Sequence, residues 1–158
     1  MAIRCASKAL IINEDCVLLN RCRHEDGSVY YDLPGGGQHI YETLEEALIR
    51  EVKEETGYEV RVIRFAALAE EIYTDADVRQ AYPDYTHRIF HIFVAELSSQ
   101  ERKLPTEKDF EMEESVWIPI AEIPELPELC PSRLRPVMRW VLETESPIYL
   151  GTEYITEE

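Results

Sequence analysis

The stretch REVKEETGY (Arg50–Tyr58) carries a charge pattern that helices normally avoid. Gly57 predicts the end of a helix, because glycine adopts the left-handed conformation of a helix stop without strain. Three glutamates nevertheless occupy the last two turns, where the helix dipole disfavours each exposed carboxylate by about 0.3–1 kcal/mol. Glu51 and Glu55 also repel each other, since they are like charges four residues apart. These acids therefore need a compensating partner.

A helical wheel places the glutamates on the face that is expected to meet the core. The capping-box pattern of Thr43 and Glu46 predicts a helix that begins at Leu44. With Leu44 at zero and about 100° per residue, the apolar stripe covers roughly 300° to 80°. The stripe consists of Leu44, Ala47, Leu48 and Val52. The glutamates fall between roughly 280° and 20° on the same wheel, so they continue this stripe toward the end of the helix.

A divalent cation is the partner that best explains acids in this position. Carboxylates on a core-facing stripe are unfavourable unless they are paired or bind a metal. One neighbouring arginine, Arg50, leaves a surplus of negative charge. Mg²⁺ binds carboxylate oxygens, keeps several waters and bridges to substrate phosphates. The alternative is an ordinary solvated acidic helix end, and the wheel weighs against it.

Outside this helix, the sequence predicts a mixed sheet packed by helices. Apolar runs on both sides of Asn13–Asp15 indicate a β-hairpin. Strands are predicted over 58–74, 87–97 and 115–120, and a second helix over 132–143. Polar loops are predicted over 75–85 and 98–114, and the tail 149–158 is either a further strand or a dimer contact. This order of elements indicates an α/β or α+β fold.

Length and composition limit the function. The 158 residues are expected to form one domain, residues 1–158. With 32 acidic and 16 basic residues the net charge is −16, which makes binding of long nucleic acid unlikely and leaves small phosphorylated ligands open. The four cysteines lack paired spacing, and no apolar run has the length of a signal peptide or a membrane span. A cytoplasmic location without membrane attachment is therefore expected.

The spacing of glycine and acids around the opening stretch resembles a known motif. Gly36 is followed by five residues and Glu42, and then by seven residues and Arg50. This resembles the Nudix box, G-x5-E-x7-R-E-U-x-E-E-x-G-U, in which U is a bulky apolar residue. All seven fixed positions match, and Tyr58 is an aromatic departure at the last U. The LPGG run (Leu33–Gly36) that precedes the box is also similar to the family.

The resemblance implies both a fold and an activity. The implied fold is a mixed β-sheet sandwiched between α-helices. The implied activity is hydrolysis of a nucleoside diphosphate linked to another group, by attack of water on phosphorus with Mg²⁺ or Mn²⁺ as cofactor. Glu54 and Glu55 correspond to metal ligands, and Glu51 to a ligand or the general base. Arg50 is implied to act in catalysis by orienting a box carboxylate.

Two further positions of the box are implied to complete the metal site. Glu42 would support the metal, through water in some arrangements, and Gly36 would shape the loop that lets the backbone approach it. Outside the box, the candidates for substrate contact or for an additional acid are Arg21, Arg23, His87, Glu111, Glu113 and Glu114. For each of them an ordinary structural role is an alternative, namely surface ion pairing for the arginines, a strand position for the histidine and a solvated loop for the acids. Tyr73, Tyr82 and Tyr85 could likewise stack on a base or simply pack.

Two rival functions stay open within the resemblance. One is removal of a 5′ pyrophosphate or cap from RNA, which the acidic composition disfavours. The other is a non-catalytic Nudix-like domain that senses a nucleotide, which is disfavoured because every box acid is present. A homodimer is implied only by the family.

Overall fold

The computed structural model describes residues 2–156, in which nine strands and three short or medium helices follow one another. The strands are β1 (Arg4–Asn13), β2 (Cys16–Arg23), β3 (Val29–Asp32), β4 (Gly35–Gly37), β5 (Tyr58–Tyr73), β6 (His87–Arg102), β7 (Met112–Pro119), β8 (Leu129–Cys130) and β9 (Ile148–Ile155). The α-helices are α1 (Leu44–Thr56), α2 (Ala76–Ala81) and α3 (Met138–Glu143), and 3₁₀ helices span Ile120–Glu125 and Ser132–Val137.

The strands form a mixed sheet with β1 at its centre. The order along the sheet is β8-β3-β2-β1-β6-β5-β9, with β4 paired to β1 and β7 paired to β2. The β1–β6 and β5–β9 pairs are parallel, whereas β1–β2, β1–β4 and β5–β6 are antiparallel. Because β4 and β2 both lie against β1, the glycines of β4 and the side chains of β2 are brought to the same region.

Helices cover both faces of the sheet, as predicted. Successive residues of a strand point to opposite faces, and β1 follows this rule. Ile11 packs in a cluster with Leu48 and Val52 of α1, while Leu10 packs in a second cluster that includes Met138 of α3. The predicted α+β fold with a mixed sheet between helices is therefore confirmed.

Helix α1 begins and ends where the sequence predicts. The hydroxyl of Thr43 accepts from the Glu46 backbone N–H at 3.1 Å, and the Glu46 carboxylate accepts from the Thr43 N–H at 2.8 Å. Gly57 ends the helix in the left-handed conformation, at φ 77°. The apolar stripe faces the core as predicted, because Leu48 and Val52 are fully buried.

Several loop predictions were wrong or incomplete. The segment 75–85 contains the helix α2, which Asp75 caps by accepting from the backbone N–H groups of Asp77 and Val78. The supposed loop 98–114 is shorter, because β6 extends to Arg102 and β7 begins at Met112. The predicted second helix divides into a 3₁₀ helix and α3.

The predicted extra strand near the C-terminus is present as β9, which runs parallel to β5. Residues 157 and 158 of that tail prediction lie outside the described residues, and the dimer contact stays a prediction. No disulfide joins the four cysteines, of which Cys22 is buried and the others are half-buried. Within residues 2–156, every helix is too short or too polar to cross a membrane.

Because its apolar stripe anchors α1 to the sheet, we expect Leu48→Ala to destabilise the protein strongly. The side chain is fully buried, so truncation removes buried area and leaves a cavity. We expect the free energy of unfolding to fall by about 2–5 kcal/mol, measured by urea denaturation. The matched control is Ile49→Ala on the exposed side of the same helix, for which we expect a loss of about 1 kcal/mol or less. Equal losses in the two variants would contradict the assigned orientation of α1.

Candidate active site

The guanidinium of Arg50 joins three carboxylates at the end of α1. Its Nε and Nη2 donate to the two oxygens of Glu42, at 2.7 and 3.0 Å, in a bidentate pair. Its Nη1 donates to Glu51 at 2.7 Å and to Glu54 at 3.2 Å. Planar arginine matches carboxylate geometry better than lysine does. Arg50 therefore holds together acids that would otherwise repel one another.

Glu42 is the acid most firmly fixed by this arrangement. Hydrogen bonds from Arg50 and from the backbone N–H of His39 lower the pKa of Glu42 to about 2. Hydrogen bonds to Glu42 and Glu51 also raise the pKa of Arg50, although burial of the guanidinium opposes this shift. Glu42 lies in the chain before α1, so its pair with Arg50 ties the segment that follows β4 to the helix.

Glu55 lies apart from this cluster, in a buried position. Its carboxylate oxygen Oε2 accepts from Asn20 Nδ2 at 2.8 Å and from the Gly35 backbone N–H at 3.0 Å. The other oxygen, Oε1, is buried without a hydrogen-bond partner in the described residues. Burial raises the pKa of Glu55 well above its ordinary value, the charge of Lys8 opposes this shift, and Asp109 adds to it. A buried carboxylate with one unused oxygen is typical of a ligand site.

Asp109 is an acid from outside the box that lies close enough to Glu55 to add to the rise in the pKa of its carboxyl. The loop that carries it is docked on the end of α1, because the backbone N–H groups of Thr106 and Glu107 donate to the Glu54 carbonyl at 2.8 and 3.0 Å. These bonds also satisfy a carbonyl that the helix end leaves unpaired.

Gly36 allows the backbone of β4 to lie directly against Glu51. A Cβ atom built on Gly36 would lie 2.5 Å from the Glu51 carboxylate, so any larger residue would displace that side chain. The glycine run is thus a short strand whose lack of side chains makes room for an acid of the box.

The acids at the end of α1 are held by different partners. Arg50 holds Glu51 and Glu54, whereas Asn20 and Gly35 hold Glu55. Across residues 2–156, no group of three or more acidic, histidine or cysteine side chains is arranged around a single point suited to a metal ion. Their role as metal ligands therefore stays a prediction, and it rests on their common location and surplus charge.

The other candidate acids are engaged elsewhere. Glu113 accepts from Arg21 at 3.0 Å and from Arg23 at 2.6 Å, and Glu114 lies 3.5 Å from Arg21. Glu111 accepts from the hydroxyl of Tyr30 at 2.8 Å. These contacts favour the ion-pairing alternative for both arginines, in which they join β2 to the neighbouring strand β7.

His87 also lies outside the acidic cluster. Its Nε2 is 2.7 Å from Glu70, and it lines a cavity with Ile72 and Thr86. A contact with substrate stays a prediction for this residue, as it does for Arg21, Arg23, Glu111, Glu113 and Glu114.

Sequence reasoning missed two buried polar residues that support the site. Asn20 donates to Glu55 and accepts from Ser115. Lys8 donates to Asp32 at 3.1 Å and to the Leu33 and Gly35 carbonyls at 3.0 and 3.2 Å. Burial lowers the pKa of Lys8, but the charges of Asp32 and Glu55 outweigh it and raise the pKa overall. Each is a polar residue that directly adjoins an apolar run of its strand, which was the available signal.

Comparison with known proteins identifies the family. The family model described as NUDIX domain matches residues 4–141. The chain belongs to the Nudix family.

Among solved structures, it is similar to an ADP-ribose pyrophosphatase from Streptococcus suis, with 21% identity and a TM-score of 0.63 over 94% of this chain and 99% of the other. This Nudix chain is also similar to a MutT protein from Bacillus halodurans, with 20% identity and a TM-score of 0.68 over 98% and 91% of the two chains. At these identities the likenesses show the shared fold.

One curated relative of this Nudix chain is the NAD-capped RNA hydrolase NudC of Photorhabdus laumondii. The two are 34% identical over 91 residues, which are 58% of this chain and 30% of the relative. The chain spans about a third of the length of the curated relatives it matches.

Burial of Glu55 predicts that Glu55→Gln stabilises the protein in the absence of divalent cations. The amide removes a desolvated charge, still accepts from Asn20 and Gly35, and can donate toward Asp109. We expect the melting temperature in EDTA to rise by about 2–4 °C, which corresponds to about 1 kcal/mol for a chain of this size. Calorimetry or circular dichroism measures it.

The control is Glu59→Gln, which changes an exposed acid paired with Lys53 on the surface. We expect its melting temperature to stay the same or to fall slightly. If Glu55→Gln instead lowers the melting temperature as much as a core truncation does, the Glu55 carboxylate is already satisfied in the metal-free protein and the prediction is wrong.

Proposed function

We propose that the chain is a Mg²⁺-dependent pyrophosphohydrolase that cleaves a small nucleoside-diphosphate-linked substrate by attack of water on phosphorus. The observation that carries this proposal is the complete Nudix box at the end of α1, in which Arg50 binds Glu42, Glu51 and Glu54 and the buried Glu55 is held separately by Asn20 and Gly35. Nudix hydrolases generally use divalent metal ions.

The donors at this site suit a hard divalent cation. They are all carboxylate oxygens, which Mg²⁺ and Mn²⁺ prefer, and one oxygen of Glu55 has no partner in the described residues. A bound cation would neutralise the diphosphate and lower the pKa of the attacking water. We assign Glu54 and Glu55 as its ligands and Glu51 as either a third ligand or the general base, with Glu42 holding Arg50 in place.

The remaining chemistry falls to the protein groups. Arg50 keeps Glu51 and Glu54 at a fixed separation, and Gly36 keeps Glu51 against the backbone. A carboxylate must accept the proton of the water as the new P–O bond forms and the bond to the leaving phosphate breaks. Glu51 and Asp109 are the two candidates for this general base. Asp109 replaces Glu111, Glu113 and Glu114 as the proposed acid from outside the box, because those three are bound elsewhere.

A small nucleotide-type substrate fits the charge of the chain better than long RNA. The net charge of −16 opposes binding along a nucleic-acid backbone. Removal of a terminal group from RNA is the second candidate activity, because NudC is named for NAD-capped RNA. A cytoplasmic location, a homodimer and a single Nudix domain over residues 1–158 are further proposals, which rest on the sequence and the family.

A substrate panel tests the proposed activity. The panel contains ADP-ribose, a dinucleoside polyphosphate, nucleotide sugars, nucleoside triphosphates and NAD-capped RNA, each with and without Mg²⁺. We expect Mg²⁺-dependent release of phosphate-containing products from at least one small compound. Glu55→Gln should lower kcat by about 100-fold or more, since the ligand set is incomplete.

Asp109→Asn and Glu113→Gln distinguish the roles of these two acids in the same assay. A general base typically contributes about 100-fold or more, so we expect Asp109→Asn to lower kcat by about 100-fold if Asp109 is the base and by less if it only supports Glu55. Glu113→Gln should leave kcat within about threefold, because its partners are surface arginines. Inactivity across the whole panel would favour a nucleotide sensor, and equal activity of wild type and Glu55→Gln would contradict the mechanism.

A further inference from the structure

The two carboxylate oxygens of Glu55 have different surroundings. Oε2 accepts two hydrogen bonds, from Asn20 Nδ2 at 2.8 Å and from the Gly35 backbone N–H at 3.0 Å. Oε1 is buried and has no hydrogen-bond partner within the described residues. Most buried polar atoms in proteins are hydrogen-bonded, because an unpartnered one costs free energy. The protein thus occupies one oxygen of Glu55 and leaves the other to a ligand.

Asn20 meets Glu55 because strand β2 and helix α1 face each other along their lengths. Leu18 of β2 packs in one cluster with Val52 of α1. Residues two apart on a strand point to the same face, so Asn20 follows Leu18 on that face, as Glu55 follows Val52 on the helix. Asn20 is 3% exposed, and its amide is therefore a buried group aimed at the acid.

Ser115 fixes the orientation of this amide. It lies opposite Asn20 in the β2–β7 pair, and its hydroxyl donates to Asn20 Oδ1 at 2.8 Å. An ionised carboxylate only accepts hydrogen bonds, so the amide must turn its NH₂ group toward Glu55 and its oxygen away. The donor on Ser115 satisfies that oxygen. Two hydrogen bonds between buried side chains thereby join β7, β2 and α1 in one chain that ends at Glu55.

The other donor to Glu55 is held by a separate set of contacts. The ammonium of Lys8 donates to the carbonyls of Leu33 and Gly35, at 3.0 and 3.2 Å, and so fixes the turn whose backbone N–H reaches Glu55. None of these groups contacts Asn20 in the described hydrogen bonds. A change at Asn20 therefore frees Glu55 on one side while the turn stays in place on the other.

We propose that Asn20 is a positioning residue of the metal site, which holds Glu55 by Oε2 so that Oε1 is the oxygen presented to the divalent cation, and that Ser115 acts through Asn20. This inference rests on the proposed function, because it takes Glu55 as a ligand of that cation. Residues that orient a metal ligand typically contribute about 10–100-fold to metal affinity or activity.

Binding of Mn²⁺ without substrate tests this role directly. The electron paramagnetic resonance signal of the free ion gives its dissociation constant for each variant. Asn20→Leu keeps a side chain of similar size and removes both hydrogen bonds of the amide. We expect it to raise the dissociation constant about 10–100-fold. At one fixed Mg²⁺ concentration, kcat for a hydrolysed compound of the panel should also fall, whereas KM should stay within about threefold.

A double-mutant cycle tests whether Ser115 acts through Asn20. Ser115→Ala removes one hydrogen bond between neutral groups, so we expect the dissociation constant of Mn²⁺ to rise by about threefold to tenfold. In the Asn20→Leu background the same change should alter it by less than about twofold, because the amide that Ser115 orients is gone. Independent effects of the two substitutions would contradict the chain of contacts.

Val141→Ala is the control for a loss of stability alone. Val141 is fully buried in the cluster on the other face of the sheet, so its truncation should lower the melting temperature and leave Mn²⁺ binding unchanged. Thermal melts in EDTA establish that each variant is folded. If Asn20→Leu does not fold, Ser115→Ala decides alone, since an unchanged dissociation constant in that variant overturns the inference.

The outcomes separate this inference from the proposed function. If folded Asn20→Leu binds Mn²⁺ as tightly as wild type does, or if Val141→Ala weakens binding equally, the role of Asn20 is overturned whatever the hydrolysis assay gives. If wild type binds no Mn²⁺ at millimolar concentration, the inference and the metal assignment both fail. If the binding results are as expected but the panel shows no hydrolysis, the role of Asn20 stands and the proposed activity fails.

Discussion

The guanidinium of Arg50 is the contact on which the acidic site depends. It binds Glu42 in a bidentate pair and shares one nitrogen between Glu51 and Glu54. Three carboxylates share this single guanidinium, so negative charge remains in surplus. Buried or half-buried charge is tolerated in proteins when a function requires it. The unfavourable placement of these acids at the helix end is therefore a property of the site. The apolar residues in the first half of α1 keep the helix packed on the sheet in spite of it.

Helix α1 divides its length between anchoring and chemistry. Its capping box fixes where it begins, and its buried leucine and valine residues attach it to the sheet. Its last turns carry the acids and receive the loop that brings Asp109, through the bonds from Thr106 and Glu107 to the Glu54 carbonyl. The packing of α1 on one face of the sheet thus fixes the position of the acids at the end of the helix.

Local patterns made α1 and its acids predictable from the sequence. The 3.6-residue periodicity, the Thr43–Glu46 cap and Gly57 each depend on residues close in the chain, and all agree with the structure. The mixed sheet between helices was likewise predictable from the order of elements. Helix α2 was missed because six residues among loop-forming neighbours are too few to give a periodic signal.

Contacts between distant segments were not predictable in the same way. Asp109 lies near Glu55 because its loop docks on α1, and nothing in the local sequence distinguishes it from Glu111, Glu113 or Glu114.

The most direct test of the account is the effect of Mg²⁺ on thermal stability, at constant ionic strength. A cation that binds only the folded state stabilises it by about 2.7 kcal/mol at a hundred times its dissociation constant. The account predicts that millimolar Mg²⁺ raises the melting temperature of the wild type in a concentration-dependent way, and that Glu54→Gln greatly reduces this rise. A wild-type melting temperature that does not respond to Mg²⁺, or an equal rise in Glu54→Gln, would contradict the assignment of these acids to a metal site.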